Sequence, residues 1–91
     1  MAPSTLKQNF HIDSEALLNR QINLELAASY SYLSLAAYFS RTEVARHGFA
    51  KRFRAASREE WTHAQKLIDY QNSRGGRVVF NEVKLKLFSS M

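Results

Sequence analysis

The sequence contains no cysteine, so no disulfide bond stabilises the fold and nothing indicates an oxidising compartment. It also lacks any apolar run near the ~20 residues that a membrane-spanning helix requires. The first 18 residues do not show the charged-then-apolar pattern of a signal peptide. These absences predict a soluble, cytoplasmic protein with no membrane partner. A chain of 91 residues forms one domain, whose small core needs a metal or a partner for support.

Glycine and proline are absent from residues 14–40, where alanine and leucine are frequent. This composition predicts a long first helix, which Asp13 or Ser14 is expected to cap. A short break follows, with Thr42 as a second cap. The next helix is then predicted over residues 44–73.

The second helix is expected to end at residues 74–77 (RGGR), because glycine adopts the left-handed cap conformation at little cost. A short link between two long helices predicts an antiparallel hairpin. Residues 1–12 are expected to form an extended leader. Residues 75–91 are expected to form an extended arm, in which residues 78–80 (VVF) favour a strand-like conformation.

Each predicted helix has one face that is defined by alternating spacings of four and three residues. On the first helix this face consists of Leu18, Ile22, Glu25, Ser29, Tyr32, Ala36 and Phe39. On the second helix it consists of Phe49, Phe53, Ala56, Glu60, His63, Leu67 and Tyr70. The strongly ionisable members of these two faces are Glu25, Glu60 and His63. The other members are apolar, small or aromatic.

A charge buried alone on such a face costs several kcal/mol, and a bound cation offsets that cost. Two carboxylates and one imidazole suit iron, manganese or zinc. Glu60 and His63 form a Glu-x-x-His sequence, which is a weak motif by itself. The histidine is more often a hydrogen-bonded core residue, and Glu60 can instead pair with an arginine across the bundle. Glu25 lies at a comparable depth on the other helix, and this favours metal binding.

Two longer stretches carry a family resemblance. RQINLELAASYSYLSLAAYF (residues 20–39) and SREEWTHAQKLIDYQNSRGGR (residues 57–77) resemble the first two helices of animal ferritin heavy-type subunits. The resemblance runs from about Gln8 to Lys84. It implies an all-α, ferritin-like antiparallel helical hairpin, which is half of a four-helix bundle.

The resemblance also implies site residues. The positions of Glu25, Glu60 and His63 hold iron at the ferroxidase centre of that family, where Glu60 would bridge two irons and Tyr32 would lie beside them. Light-type subunits lack the Glu and His at the positions of Glu60 and His63, so this chain is similar to the heavy type. Glu59 matches an acidic position near the mineral cavity.

The sequence departs from the family pattern at several positions. Thr62 and Gln65 stand where heavy-type chains usually have acidic residues, which argues against mineral nucleation. Trp61 replaces a usual charged residue, and Ala27 a usual aromatic one. Family subunits continue through two more long helices, which carry the other ligands of the second iron. Residues 85–91 (LKLFSSM) no longer follow the pattern, so residues 1–91 are interpreted as a single truncated ferritin-like domain.

A hairpin alone exposes the faces that further helices would cover, so the chain is not expected to be a stable monomer. The apolar side chains concerned are Leu18, Ile22, Tyr32, Phe39, Phe53 and Leu67. The leading hypothesis is a symmetric dimer that contains Glu25, Glu60 and His63 twice and oxidises two Fe(II) with dioxygen. The alternative is a non-catalytic truncated subunit that assembles with full-length ferritin chains and modulates them.

A net charge of +5 also raises the hypothesis of a basic module that binds phosphates. No aromatic interleaving and no recognised nucleic-acid motif supports it. A solvated basic helix face is the favoured interpretation, and a nucleic-acid partner is not expected. His11 and His47 have no ligand-like neighbour at helical spacing, so both are predicted to be surface residues.

Overall fold

The computed structural model describes residues 12–83, with side chains from Ser14 onward. Two α-helices, α1 (Ile12–Phe39) and α2 (His47–Ser73), pack side by side as an antiparallel hairpin, and each is about 40 Å long at 1.5 Å per residue. No strand occurs in the described part of the chain. The all-α hairpin is therefore confirmed. Residues 1–11 of the expected leader and the last eight residues of the arm lie outside the described residues, and Ile12 is already helical.

The helix starts differ from the predicted ones. α1 begins at Ile12, so Asp13 and Ser14 lie inside its first turn and not at its cap. α2 begins three residues later than expected, because Ala45 has a φ of 48°, which is incompatible with a helix. Thr42 does not cap it. The N-cap residue is Arg46, which makes no side-chain capping hydrogen bond.

The two helices touch along a line of small or buried residues that are spaced by seven within each helix. Its members are Ile22, Ser29 and Ala36 on α1, and Ala50, Ser57, Ala64 and Gln71 on α2. Ser29 and Ser57 each donate a hydrogen bond to the other's backbone carbonyl oxygen, at 2.8 and 2.7 Å. Small side chains let the backbones approach closely, and the reciprocal bonds satisfy both buried hydroxyl groups.

The predicted face of α2 is not its line of closest contact with α1. Phe49, His63 and Tyr70 belong to the predicted face, and their side chains are exposed in the hairpin. The line of closest contact lies one residue further along α2, at Ala50, Ser57, Ala64 and Gln71. Alanine and serine outline an apolar face less clearly than phenylalanine and tyrosine do, so the sequence pattern favoured the neighbouring line.

The exposed apolar surface also differs from the predicted one. Ile22 is fully buried, and the other five side chains expected to be exposed are half-buried within the single chain. The large apolar side chains that are exposed are Leu17, Leu24, Tyr30, Leu33, Phe49, Trp61, Tyr70, Val79 and Phe80. Among the described residues, no helix is long and apolar enough to cross a membrane.

Three polar side chains of α1 hold the extended segment 77–81 in place. The backbone N–H groups of Arg77, Val79 and Asn81 donate to Glu15, Asn19 and Asn23, at 2.9, 3.0 and 2.8 Å. Four residues of helix rise about 6 Å and two residues of extended chain about 6.6 Å, so the successive bonds stay in register. The segment is extended as predicted, but it pairs with helix side chains and not with a strand.

Two glycines end α2 for different reasons. Gly75 has a φ of 79°, the left-handed conformation expected after the C-cap. Gly76 has an ordinary φ but no room for a side chain, since an added Cβ would lie 2.6 Å from Oε1 of the buried Gln71. Gln71 cannot move freely, because its amide donates to the Glu15 carbonyl oxygen at 2.9 Å.

Gly76→Ala is therefore expected to destabilise the hairpin by about 1–3 kcal/mol, the usual range for overpacking a tight contact. Gly48→Ala is the matched control, because nothing lies within 4 Å of its added Cβ and the residue is inside α2. It is expected to stabilise by about 0.5–1 kcal/mol through helix propensity. Thermal unfolding of both variants checks this pair. Equal shifts in the same direction would contradict it.

Candidate metal centre

Three possible metal ligands from both helices converge on one side of the hairpin. α1 supplies Glu25, and α2 supplies Glu60 and His63, whose i, i+3 spacing places them one turn apart. One ligand atom from each residue lies within 4.8 Å of the other two. His63 Nδ1 lies 3.6 Å from Glu25 Oε2 and 3.8 Å from Glu60 Oε2. Two ligand bonds of about 2.1 Å can span such distances.

The cluster lies halfway along both helices. Glu25 is at position 14 of the 28 residues of α1, and Glu60 is at position 14 of the 27 residues of α2. We call this side of the hairpin the open face; it carries Leu18, Glu25, Tyr32, Phe53, Glu60 and Leu67. The opposite side, called the back face, carries Asn19, Asn23, Tyr30, Leu33 and Trp61.

The environment of Glu25 fits a cation. Its side chain is 17% exposed, and its Oε1 accepts a hydrogen bond from Gln21 Nε2 at 2.9 Å. Its Oε2 is buried and has no hydrogen-bond partner. When both carboxylates are ionised, no donor satisfies this atom. A proton on Glu60 or a metal ion would satisfy Glu25 Oε2. The site is open to solvent on the side of the His63 imidazole, which is 45% exposed.

The two carboxyl groups have opposite pKa shifts. A hydrogen bond from Glu60 lowers the pKa of Glu25, and burial opposes this only in part. The same hydrogen bond raises the pKa of Glu60, and burial and the negative charge of Glu25 add to the rise. The pair therefore favours one shared proton over two charges. A divalent cation in place of that proton removes the repulsion.

An aromatic cluster extends the open face toward the hairpin loop. Tyr32 and Phe39 stack against Phe53, with ring centroids 6.1 and 5.7 Å away, and Phe39 also contacts Phe49 at 5.3 Å. Phe49 is 49% exposed and forms the outer edge of the cluster. An apolar surface thus lies on the loop side of the acidic centre.

The fold and the ligand cluster can be compared with known proteins. A family model described as Ferritin-like domain matches residues 15–91. The chain belongs to this family. Soma ferritin from Lymnaea stagnalis is 56% identical over 84 residues, which are 92% of this chain and 48% of that protein. The crystal structure of ferritin from the green alga Ulva pertusa matches with a TM-score of 0.81 and 49% identity, over 84% of this chain and 39% of that chain.

This ferritin-like chain therefore spans about half the length of the curated relative that it matches. Its two helices correspond to a ferritin helical hairpin. The predicted family and fold are confirmed. The three possible metal ligands among the described residues are a Glu from one helix and a Glu-x-x-His from the other, the pattern found in half of a di-iron carboxylate site.

The other predicted site residues lie outside the three-residue cluster. Tyr32 is two helical turns from Glu25 on the open face, and among residues 12–83 its closest aromatic partner is Phe53. Glu59 is 72% exposed, and its Oε1 lies 3.9 Å from His63 Nε2, on the other side of the imidazole from the cluster. Thr62 is exposed and donates to the Arg58 carbonyl oxygen at 2.9 Å.

The sequence interpretation did not include Gln21. Its amide donates to Glu25 Oε1 at 2.9 Å, and this bond helps to lower the pKa of Glu25. Gln21 therefore orients the carboxylate and leaves Oε2 directed at His63. Its spacing of four residues from Glu25 on one helix was the available signal.

Proposed function

We propose that this ferritin-like chain binds Fe(II) through Glu25, Glu60 and His63 and takes part in iron storage. A second chain supplies the remaining ligands, and the completed di-iron carboxylate site oxidises Fe(II) with dioxygen. The observation that carries the proposal is the convergence of three possible ligand groups from both helices around a buried carboxylate oxygen that has no hydrogen-bond partner.

The residues have distinct roles in this proposal. Glu25 and His63 would hold iron, and the Glu60 carboxylate would be shared between two ions. Two Fe(II) would give two electrons to dioxygen, which would take up two protons from solvent and leave as hydrogen peroxide. The anionic carboxylates stabilise the resulting Fe(III) more than Fe(II), because Coulomb attraction grows with the charge of the ion. The site is therefore suited to driving oxidation and not merely to holding Fe(II).

Two further residues have supporting roles. Tyr32 lies on the same face as Glu25 and closes the centre toward the aromatic cluster. Glu59 is exposed beside the outer nitrogen of His63, where it attracts cations from solvent toward the ligands. Thr62 and Gln65 add no negative charge to this surface, so mineral nucleation is not assigned to this chain.

A second candidate function is a non-catalytic subunit that assembles with full-length ferritin chains. It is favoured by the exposed apolar side chains on both faces of the hairpin. In that case the purified chain alone would not turn over iron, and it would co-purify with full-length subunits.

Glu60→Ala tests the oxidation. It removes the bridging carboxylate, so the rate of Fe(III) formation in air is expected to fall at least about tenfold, since even outer-shell partners of metal sites change activity by about 10–100-fold. Asp69→Asn is the matched control, because Asp69 is an exposed carboxylate on the same helix. The rate is followed by the absorbance of Fe(III). Undiminished oxidation by the Glu60 variant rules the proposal out.

A further inference from the structure

We infer that Gln21 is a positioning residue that determines which cation the centre accepts. Its amide occupies one oxygen of Glu25 and leaves a single oxygen for the metal, and this restriction favours first-row transition metals over Ca(II). The inference rests on the proposed function, in which Glu25, Glu60 and His63 bind a metal ion. It adds a residue outside the ligand set that controls the choice of that ion.

The two carboxylate oxygens of Glu25 face different neighbours. Oε1 accepts a hydrogen bond from Gln21 Nε2 at 2.9 Å. Oε2 lies 3.6 Å from His63 Nδ1 and is buried without a hydrogen-bond partner. One oxygen is therefore occupied by a donor from the same helix, and the other is directed at the ligands of the second helix.

Helical geometry explains this division of the two oxygens. Gln21 lies four residues before Glu25 on α1, so the two side chains are neighbours on the same face, one turn apart. The other two possible ligands are on α2. A donor on α1 therefore holds the oxygen that is nearer to its own helix and turns the other oxygen toward α2.

The hydrogen bond opposes chelation of one ion by both oxygens of Glu25. Binding through both oxygens requires the carboxylate to rotate until Oε1 also faces the ion. That rotation either breaks the bond from Gln21 or brings the cation close to the partly positive amide hydrogens, which repel it. With Gln21 in place, Glu25 is therefore expected to supply one ligand atom.

The number of available oxygens decides which ion binds. Ca(II) takes six to eight oxygen ligands, and its carboxylates often bind through both oxygens. Zn(II) is usually four-coordinate, and imidazole nitrogen suits Zn(II) and iron. The cluster offers one ligand atom from each of three residues, and one of these atoms is a nitrogen. Such a set is poor in oxygen for Ca(II) and sufficient for a transition metal.

The contribution of the Gln21–Glu25 pair to folding is expected to be small. Gln21 is exposed, and pairs of this spacing on a helix surface stabilise the helix only slightly. Removal of the amide should therefore leave the melting temperature of the metal-free chain nearly unchanged. Its effect should appear in metal binding.

Gln21→Met tests the inference, because methionine is similar in length and helix propensity but has no N–H donor. Zn(II) replaces Fe(II) in the measurement, since it is not oxidised. Equilibrium dialysis gives the affinity for Zn(II) and the Ca(II) concentration that displaces half of it. Loss of an outer-shell partner weakens metal binding by about 10–100-fold, so Zn(II) affinity is expected to fall at least about tenfold. The displacing Ca(II) concentration should fall by at least the same factor.

Two further variants separate positioning from other effects. Gln65→Met is the matched control, because Gln65 is a half-buried glutamine of α2 that does not belong to the cluster. It should keep the natural affinity and the natural Ca(II) concentration. Gln21→Lys retains a donor for Glu25 Oε1. Its positive charge weakens the binding of all divalent cations alike, so the displacing Ca(II) concentration should stay near the natural value.

The visible spectrum of bound Co(II) gives an independent measurement, because its bands weaken as the number of ligands rises. Weaker bands in Gln21→Met, with the natural spectrum kept in Gln21→Lys, support the inference. A variant Gln21→Met that loses Zn(II) and Ca(II) affinity equally, or that keeps the natural spectrum, overturns it. If Glu60→Ala loses Zn(II) binding but Gln21→Met keeps the natural preference, only this inference is contradicted. Zn(II) binding that does not depend on Glu60 contradicts the proposed metal centre and this inference together.

Discussion

Glu60→Gln is expected to raise the melting temperature of the metal-free chain at neutral pH and to abolish the further rise that Zn(II) causes. The amide is neutral and can donate to Glu25, as a protonated Glu60 does. In the natural chain, ionised Glu60 instead places a second negative charge beside Glu25. The variant thus gains stability without metal and loses the ligand that metal needs.

Of these two effects of Glu60→Gln on the melting temperature, the loss of the rise that Zn(II) causes is the larger. A ligand at 100 times its dissociation constant stabilises a folded protein by about 2.7 kcal/mol. For a domain of this size, each kcal/mol shifts the melting temperature by about 4–8 °C, so Zn(II) is expected to raise it by about 10–20 °C. Asp69→Asn should keep the full shift. Protein concentration is held constant, because the melting temperature of an associating chain depends on it.

The pH dependence has a definite sign. The raised pKa of Glu60 contributes stability that is fully present below the ordinary pKa of glutamic acid and is lost as the pH rises through the raised value. The lowered pKa of Glu25 contributes stability that is present above the ordinary pKa and is lost as the pH falls through the lowered value. The metal-free chain should therefore lose the Glu60 contribution to its stability as the pH rises from the ordinary pKa of glutamic acid through the raised value. Glu60→Gln should flatten that decline. An equally steep decline in the variant would show that the carboxyl pair does not cause it.

The sequence predicted those features that depend on local spacing. The absence of glycine and proline from residues 14–40 indicated a long helix, and α1 covers most of that range. The three-residue spacing of Glu60 and His63, with Glu25 at matching depth, predicted ligands that converge, and the structure brings the three together. Helical periodicity is enough for both, since it fixes which residues share a face.

Features that depend on contacts distant in sequence were not predictable in this way. The closest contact line of α2 consists of small residues such as Ala64, which no hydrophobic pattern emphasises. The hydrogen bonds of Asn19 and Asn23 join residues 56 to 60 positions apart, so local sequence gives no sign of them. The late start of α2 depends on one left-handed residue, Ala45, in a loop that lacks a glycine at that position.

Ala64→Leu is expected to destabilise the hairpin and to remove its metal binding together. Ala64 is fully buried on the helix contact line, one turn from Glu60. Extra methylene groups in a tight contact cost about 1–3 kcal/mol, and each kcal/mol lowers the melting temperature by about 4–8 °C. The added side chain also separates α1 from α2, so Glu25 moves away from Glu60 and His63. Thermal unfolding and Zn(II) dialysis measure the two effects.

Ala55→Leu is the matched control, because Ala55 is exposed on the same helix and leucine there keeps high helix propensity. It should leave both stability and Zn(II) binding nearly unchanged. If Ala64→Leu unfolds at a lower temperature but binds Zn(II) as tightly as the natural chain, then Glu25 is not a ligand, since the α2 residues would suffice alone. Loss of binding at temperatures where the variant is still folded would instead locate the centre between the helices. In that case the small residues of the contact line, which form no part of the ligand set, set the distance between its two halves.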